Sequence, residues 1–281
     1  MIDLHVHSTF SDGSFTPAQL VAMAKKAGLT ALALTDHDTL GGIDEFLCEP
    51  AKDELIRIPG VEISADVQKG TMHILGYFIN RADPGLENAL VQIRNGREIR
   101  NKQMLKKLND LGLTLSWDEV ASFAGEEVVG RPHFAQAMMK KKYVSSTEEA
   151  FDRYLKKGKP AYTDRFRFSP EDSIKAIRAA GGAPVLAHPF TLELDSVSLK
   201  KYMAGLKEIG LQGIEVYYSE HSREQVKEYL ALAQELKLVA TGGSDFHGSI
   251  NPDIRLGVGF GNLRVPDEVV DGLKKRSAWK S

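Results

Sequence analysis

At 281 residues, the chain is long enough for one large α/β barrel or for two smaller domains. A composition 42% hydrophobic and 26% charged excludes disorder, and a formal net charge of −2 excludes a globally basic nucleic-acid binder while leaving local patches open. The single cysteine, Cys48, rules out an intramolecular disulfide and a thiolate-built zinc site. No apolar run approaches the roughly 18 residues of a membrane-spanning helix. The N-terminus lacks the basic and apolar regions of a cleaved leader, so a cytoplasmic protein is expected.

The chain begins M-I-D-L-H-V-H-S-T-F-S-D-G. Ile2, Leu4 and Val6 alternate with Asp3, His5 and His7, the period of a β-strand with one apolar face, so both imidazoles leave the strand on one side. Ser8, Ser11, Asp12 and Gly13 are turn formers that can return a carboxylate over the strand end. Pro17 after Thr16 opens a helix over 18–27, and Gly28 stops it. The next run, T-A-L-A-L-T-D-H-D at 30–38, is a short strand parallel to the first that ends in Asp36, His37 and Asp38. Parallel α/β folds build their sites at such strand tips. Residues 56–64 form another strand, in which Glu62 lies between Val61 and Ile63. Burying that carboxylate unpaired is costly, which points it at a cation. The strand at 72–78 carries His73, which read alone fits a core histidine as well as a ligand.

The βα alternation then stops. From Pro84 to Arg167 the patterns are helical, over 86–109, 117–123, 132–141 and 147–157. Lys and Arg number 17 against 12 acidic residues between Arg81 and Arg167, compared with 19 against 26 elsewhere. This predicts a helical subdomain over 84–167 inserted into a barrel formed by 1–83 and 168–281. Most of its charges solvate helices, but Arg131-Pro132-His133 at a helix start is a candidate phosphate clamp. The α/β rhythm resumes with a helix from Ser169-Pro170 to Ala180, a strand at 183–189 ending in His188-Pro189, a helix near 196–208 and a strand at 213–218. A helix at 222–236 leads to the strand 238–247, whose end carries Asp245 and His247 as a D-x-H pair, and a loop and closing helix follow. His221 reads as an exposed helix-start residue, and Asp36 and Asp38 as turn formers or as groups that orient the ligands.

Together the strand tips offer His5, His7, Asp12, His37, Glu62, His73, His188, Asp245 and His247, which include all the histidines but His133 and His221. Mixed imidazole and carboxylate donors without thiolate suit Zn, Mn or Fe better than Mg or Ca. Nine donors exceed the needs of one ion, so two or three divalent metals are implied, with Glu62 able to bridge a pair. Closely spaced metals acidify a bridging water and polarise a phosphoryl or carbonyl group, so hydrolysis by a metal-bridging hydroxide is the expected chemistry.

H-V-H-S-T-F-S-D-G at 5–13, T-D-H-D at 35–38, P-G-V-E-I-S at 59–64, A-H-P at 187–189 and G-S-D-F-H at 243–247 together resemble the PHP (polymerase and histidinol phosphatase) family. The resemblance implies an α/β fold, a distorted (β/α)7 barrel with a trinuclear site at the strand C-termini. It implies a first metal on His5, His7, Glu62 and Asp245, a second on Glu62, His73 and His188, and a third on Asp12, His37 and His247, with catalytic roles for His188 and Asp245. H-I-L-G at 73–76, R-E-I-R-N at 97–101 and G-R-P-H-F-A at 130–135 are similar to the nucleoside 3′,5′-bisphosphate phosphatase branch, which overlaps with RNase AM-type 5′–3′ exonucleases. That branch implies removal of a 3′-phosphate from a 5′-phosphorylated nucleotide or short RNA, with Arg131 and His133 gripping a phosphate, helped by Arg97 or Arg100. No membrane or protein partner is implied. The competing readings are a histidinol-phosphate phosphatase, a metal-stabilised regulatory module like those attached to polymerases, and an amidohydrolase of small cyclic amides.

Overall fold

Strands that run parallel and are joined by helices bury both faces, and here they do so by closing on themselves. The computed structural model describes residues 1–48, 54–124 and 129–279. In chain order the elements are β1 (Ile2–Asp3), α1 (Pro17–Lys26), β2 (Ala31–Leu34), α2 (Ile43–Leu47), β3 (Ile56–Ala65) and β4 (Met72–Tyr77). Then come α3 (Pro84–Asp110), α4 (Trp117–Ala121), α5 (Arg131–Lys140) and α6 (Thr147–Ala150), the last running into a π turn at Phe151–Leu155. The chain returns through α7 (Pro170–Ala179), β5 (Ala183–Leu186), α8 (Ser196–Ile209), β6 (Gly213–Tyr218), α9 (Arg223–Leu236), β7 (Val239–Gly243) and α10 (Val269–Lys274). Helix starts follow local chemistry: Thr16 and Gln19 form a reciprocal cap ahead of Pro17, and Ser222 and Gln225 do the same for α9.

The seven strands pair in sequence order. The seam between first and last is closed just beyond them, where the Asp245 amide donates to His5 O (2.9 Å) and the His7 amide to Phe246 O (3.0 Å). One strand departs from the simple βα repeat: β4 runs antiparallel to both β3 and β5. Ala65 and Met72 are too close in the chain for the crossover of a dozen or more residues that a parallel return needs, so the chain doubles back as a hairpin. The regular part of β1 is also shorter than the alternation suggested. Ile2 and Leu4 pack in the same inner cluster as Ala31, Ala33 and Tyr77, whereas Val6 packs in the outer one.

That inner cluster is closed at one end by Leu263, Val265, Val269 and Leu273 from the C-terminal segment, so the barrel is a packed core. A second cluster lies between barrel and helices. A third, containing Met104, Leu108, Phe134, Met138 and Leu155, belongs to the inserted helices. Helix α3 straddles two of them: Leu86, Leu90 and Ile93 pack on the barrel, and Met104 and Leu108 on the insert.

The β1–β7 seam is tight enough to test. A Cβ at Gly243 would lie 2.3 Å from His5 N and 2.4 Å from His5 Cβ. Gly243→Ala must therefore push the two chains apart, at an expected cost of about 3 kcal/mol or more. Thermal unfolding should show a Tm lowered by roughly 6 °C or more. An unchanged Tm would mean the seam is not the closed contact described.

Candidate active site

Every donor singled out above arrives at one end of the barrel. His5 and His7 follow β1, Asp12 the turn after it, and His37 the end of β2. Glu62 lies within β3, His188 follows β5, and Asp245 and His247 follow β7. Because β4 is reversed, its start lies at this same end, and that is where His73 sits. Reversal of one strand thus brings in a ligand that a parallel strand would have carried to the far end.

Glu62 is the hub, 1% exposed. Its Oε2 lies 3.0 Å from His37 Nδ1, 3.2 Å from His7 Nε2 and 3.3 Å from His5 Nε2. Its Oε1 lies 2.8 Å from His73 Nδ1 and 3.0 Å from His188 Nε2. Asp245 Oδ1 is 3.1 Å from His7 Nε2 and 3.3 Å from His5 Nε2. Asp12 faces His247 Nε2 at 3.2 Å and His37 Nε2 at 3.7 Å. The nine residues fall into four overlapping groups of possible metal donors: His7, Asp12, His37 and His247; His5, His7 and Asp245; His5, Glu62 and His188; and His37, Glu62 and His73. Several donor atoms are buried without a hydrogen-bond partner, among them His5 Nε2, both ring nitrogens of His7, His73 Nδ1, Glu62 Oε2 and Asp245 Oδ1. Burying them so would be costly in a protein that left them bare, and their N/O chemistry fits borderline divalent cations.

The D-x-H pair does not lie on the strand, which was expected to run to 247. Strand β7 ends at Gly243, and Asp245 takes a left-handed backbone at φ 58°, turning its carboxylate inward. His188 is similarly held at φ 23°, and such strain persists where surrounding structure imposes it.

Around the donors lies a set of groups that aim them. Glu215 Oε1 accepts from His5 Nδ1 (3.0 Å) and its Oε2 from the His188 amide (2.8 Å). The Tyr218 hydroxyl donates to Asp245 Oδ2 at 2.8 Å, leaving Oδ1 toward the histidines. Asp36 accepts from the Ser8 amide and hydroxyl and from Ser11 Oγ, fixing the turn that carries Asp12. Asp38 accepts from the Ser64 amide and hydroxyl and pairs with Arg97 and Arg165. Glu215, a carboxylate flanked by Ile214 and Val216 in a strand, carries in the sequence the same signal of costly burial as Glu62. Tyr218 carried no signal in the sequence. His221 is half-buried rather than exposed: its Nδ1 donates to Val216 O (2.9 Å) and its ring packs on Tyr218 and Tyr229.

Charge is distributed unevenly. Burial raises the carboxylate pKa of Glu62, but His37, His73 and His5 outweigh it and hold Glu62 well below the usual range. Burial disfavours a charged His7, yet contacts with Asp245 and Glu62 push its pKa up to about 10. His73 goes the other way, down to about 4, because burial and the neighbouring His37 and His188 outweigh Glu62.

The donors open into a cleft of about 590 Å³ whose opposite wall is basic. Arg97, Arg100, Arg131, Arg165 and Arg167 line it. Arg165 and Arg167, which the sequence reading did not select, come from a D-R-F-R-F stretch in which the alternation points both guanidinium groups into the cleft. Burial and the neighbouring Arg97 and Arg165 lower the pKa of Arg100, whose Nε finds no hydrogen-bond partner. Arg131 lies against the rings of Phe151 and Tyr162 and donates to Leu155 O. His133 does not line the cleft. It is 1% exposed, and its Nδ1 accepts from the Gly130 amide (3.0 Å), which caps α5.

The family model of the PHP domain matches residues 3–161. The chain belongs to the PHP family. A 3′,5′-nucleoside bisphosphate phosphatase of Chromobacterium violaceum is 35% identical over 88% of this chain and 87% of its own. A 5′-3′ exoribonuclease of Haemophilus influenzae is 34% identical over 87% and 89%. A solved structure from Bifidobacterium adolescentis, assigned as a metal-dependent phosphoesterase, superposes with a TM-score of 0.87 at 29% identity, covering 99% of this chain and 96% of that one. The PHP chain described here is a hydrolase with a metal-dependent phosphoesterase fold. Among the described residues no helix is long and apolar enough to cross a membrane.

Two measurements follow from this geometry. Glu215→Gln leaves His5 without a carboxylate on Nδ1 and should weaken metal binding about 10- to 100-fold. Titration calorimetry with Mn²⁺ reads this directly, and an unchanged affinity would remove Glu215 from the site. Because His7 is protonated below about pH 10 in the metal-free protein, a cation must displace its proton. Mn²⁺ affinity should therefore rise from pH 6 to pH 8, and calorimetry in two buffers of different ionisation enthalpy should detect proton release. No release would contradict a protonated His7.

Proposed function

We propose that this PHP chain removes the 3′-phosphate from nucleoside 3′,5′-bisphosphates and cleaves the corresponding linkage in short 5′-phosphorylated oligoribonucleotides. The observation that carries this reading is a cleft whose lining joins Asp12, His37 and His73 of the nine-donor cluster to five arginines. A substrate with two phosphates on one ribose satisfies both sets. The names of the Chromobacterium and Haemophilus relatives agree with that choice.

His5, His7, Glu62 and Asp245, then Glu62, His73 and His188, then Asp12, His37 and His247 are the residues that would hold the cations, two or three ions of Mn, Fe or Zn. Such ions supply an acidified water and neutralise charge on the phosphoryl oxygens. The chain supplies the rest. Arg131, with Arg97, Arg100, Arg165 and Arg167, binds the 5′-phosphate in charge-assisted hydrogen bonds. His133 fixes the start of α5 and so the direction of Arg131. Tyr218 holds Asp245 through Oδ2, which keeps Oδ1 toward His5 and His7 and the cation they would share. His188 is held by Glu215 at its amide and by Thr191 Oγ1 near its Nδ1, which keeps its Nε2 toward Glu62 and the cation they would share. Water adds to phosphorus, the P–O3′ bond breaks, and the 3′-oxygen leaves with a proton. Histidinol phosphate fits poorly, because its amine would face the arginines.

The test is phosphate release from adenosine 3′,5′-bisphosphate with Mn²⁺, beside AMP, histidinol phosphate and a cyclic amide. Release confined to the bisphosphate and lost in Asp245→Ala is the expected result. Arg131→Met should lower kcat/KM for the bisphosphate about tenfold or more while changing 3′-AMP little, as befits one lost ionic hydrogen bond of about 1.5–3 kcal/mol. Equal turnover of AMP, or amide hydrolysis alone, would refute the assignment.

A further inference from the structure

The arginines that line the cleft are not equivalent. Arg97 and Arg165 pair with Asp38. Arg167 pairs with Asp164 at 2.9 Å and lies 3.8 Å from Asp66. Arg131 donates to Leu155 O at 3.4 Å and lies against the rings of Phe151 and Tyr162. Arg100 is the exception. Its Nε is buried without a hydrogen-bond partner, and among the described residues no carboxylate pairs with its guanidinium group. The charged neighbours that act on it most are other cations, Arg97, Arg165, Arg131 and Arg167. Burial and those neighbours bring its pKa down to about 8.

The position is built rather than accidental. Arg100 lies on the buried face of α3 with Ile93, Gly96, Asn101 and Met104. Ile93 packs in the cluster between barrel and helices and Met104 in that of the insert, so Arg100 stands where one core gives way to the other, 4% exposed. Arg97, one turn earlier, shares its side of the helix. Gly96 brings the next two cations close. A Cβ there would lie 2.7 Å from Phe166 Cβ, so only a glycine lets the segment bearing Arg165 and Arg167 pack against α3. A surface arginine can turn its charge out to water, but this one opens only into the cleft. Held there without a counterion, it lowers the stability of the empty protein.

We propose that Arg100 is the residue that selects the substrate's 5′-phosphate, a buried cation whose counterion arrives with the substrate. The inference rests on the proposed reaction and narrows it. The other arginines keep their acceptors or rings when the cleft is empty, whereas Arg100 gains its acceptor only on binding. A terminal phosphate suits it, because a planar guanidinium fork matches the phosphate oxygens and their charge. A 5′-hydroxyl leaves the buried cation as it was, and a site with such an unmet group discriminates strongly against the analogue that lacks its partner.

The experiment compares the full chain with Arg100→Met and Arg100→Lys. With Mn²⁺, the preference in kcat/KM for adenosine 3′,5′-bisphosphate over 3′-AMP should fall about 30-fold or more in Arg100→Met, as when one partner of a buried charged contact is removed. Arg100→Lys keeps a cation on a long stem and should lose less. Without metal or phosphate, Arg100→Met should melt about 2 °C or more above the wild type. Inorganic phosphate should then raise the Tm of the wild type but not of Arg100→Met. Equal losses of preference in the two variants, or an Arg100→Met that melts no higher than the wild type, would make the position structural and overturn the proposal. A phosphate-induced Tm rise that survives Arg100→Met overturns it as well. Normal bisphosphate turnover with the preference intact in Arg100→Met overturns the role of Arg100 alone. A phosphate-induced rise that depends on Arg100, without any bisphosphate turnover, overturns the reaction and leaves Arg100 an anion site.

Discussion

Five imidazoles converge on one buried carboxylate, and the rest of the molecule is arranged around that contact. A carboxylate taken out of water costs several kcal/mol unless partners replace its hydration. Glu62 has those partners only because His5, His7, His37, His73 and His188 arrive from the ends of four other strands. No local segment can satisfy it. The barrel must be closed at the β1–β7 seam and β4 must be reversed before the hub is complete. Glu62 belongs at once to the fold, as a buried charge that specifies strand order, and to the chemistry, as the donor two groups share.

The sequence shows residue types better than it shows directions. Nine donors at the tips of apolar runs were visible because imidazole and carboxylate groups are out of place there, and the family motifs supplied their grouping. Helix limits were legible from caps such as Thr16 with Pro17, which act within a few residues. The antiparallel β4 was missed because apolar alternation is the same in both directions, and only the shortness of the 66–71 connection carries the information. The turn of Asp245 escaped a strand-based reading because φ 58° in a non-glycine residue is imposed by surrounding structure, not by its own preference. His221 and His133 were misplaced for a related reason. Each spends a ring nitrogen on a backbone group, a role that depends on where the neighbouring chain passes.

The inserted helices have a core of their own, so their arginines could in principle face anywhere. They face the metal donors because of Asp38. This residue follows His37 directly, is fully buried, and has a left-handed backbone at φ 56°. Burial alone would raise its carboxyl, but Arg97 and Arg165, with the Ser64 amide, hold it far into the ionised range. The same residue's carbonyl accepts from Arg94, so α3 is tied to the end of β2 by main chain and side chain together.

One consequence is geometric. His37 and Asp38 are adjacent in the chain, so the separation between the metal donors and the arginine wall is set by one stretch of backbone and one ion-paired carboxylate. A cleft anchored in this way selects for the distance between two anionic groups as well as for their charge. A monophosphate can satisfy one set only, leaving either the guanidinium groups balanced by Asp38 and Asp164 alone or the donors without a reacting centre. Burial, with Arg97 and Arg165 close by, lowers the pKa of Arg100, so an anion on that wall relieves a buried cation. Preference for a doubly phosphorylated ribose thus follows from how the insert is fastened to the barrel, rather than from any single contact to the base.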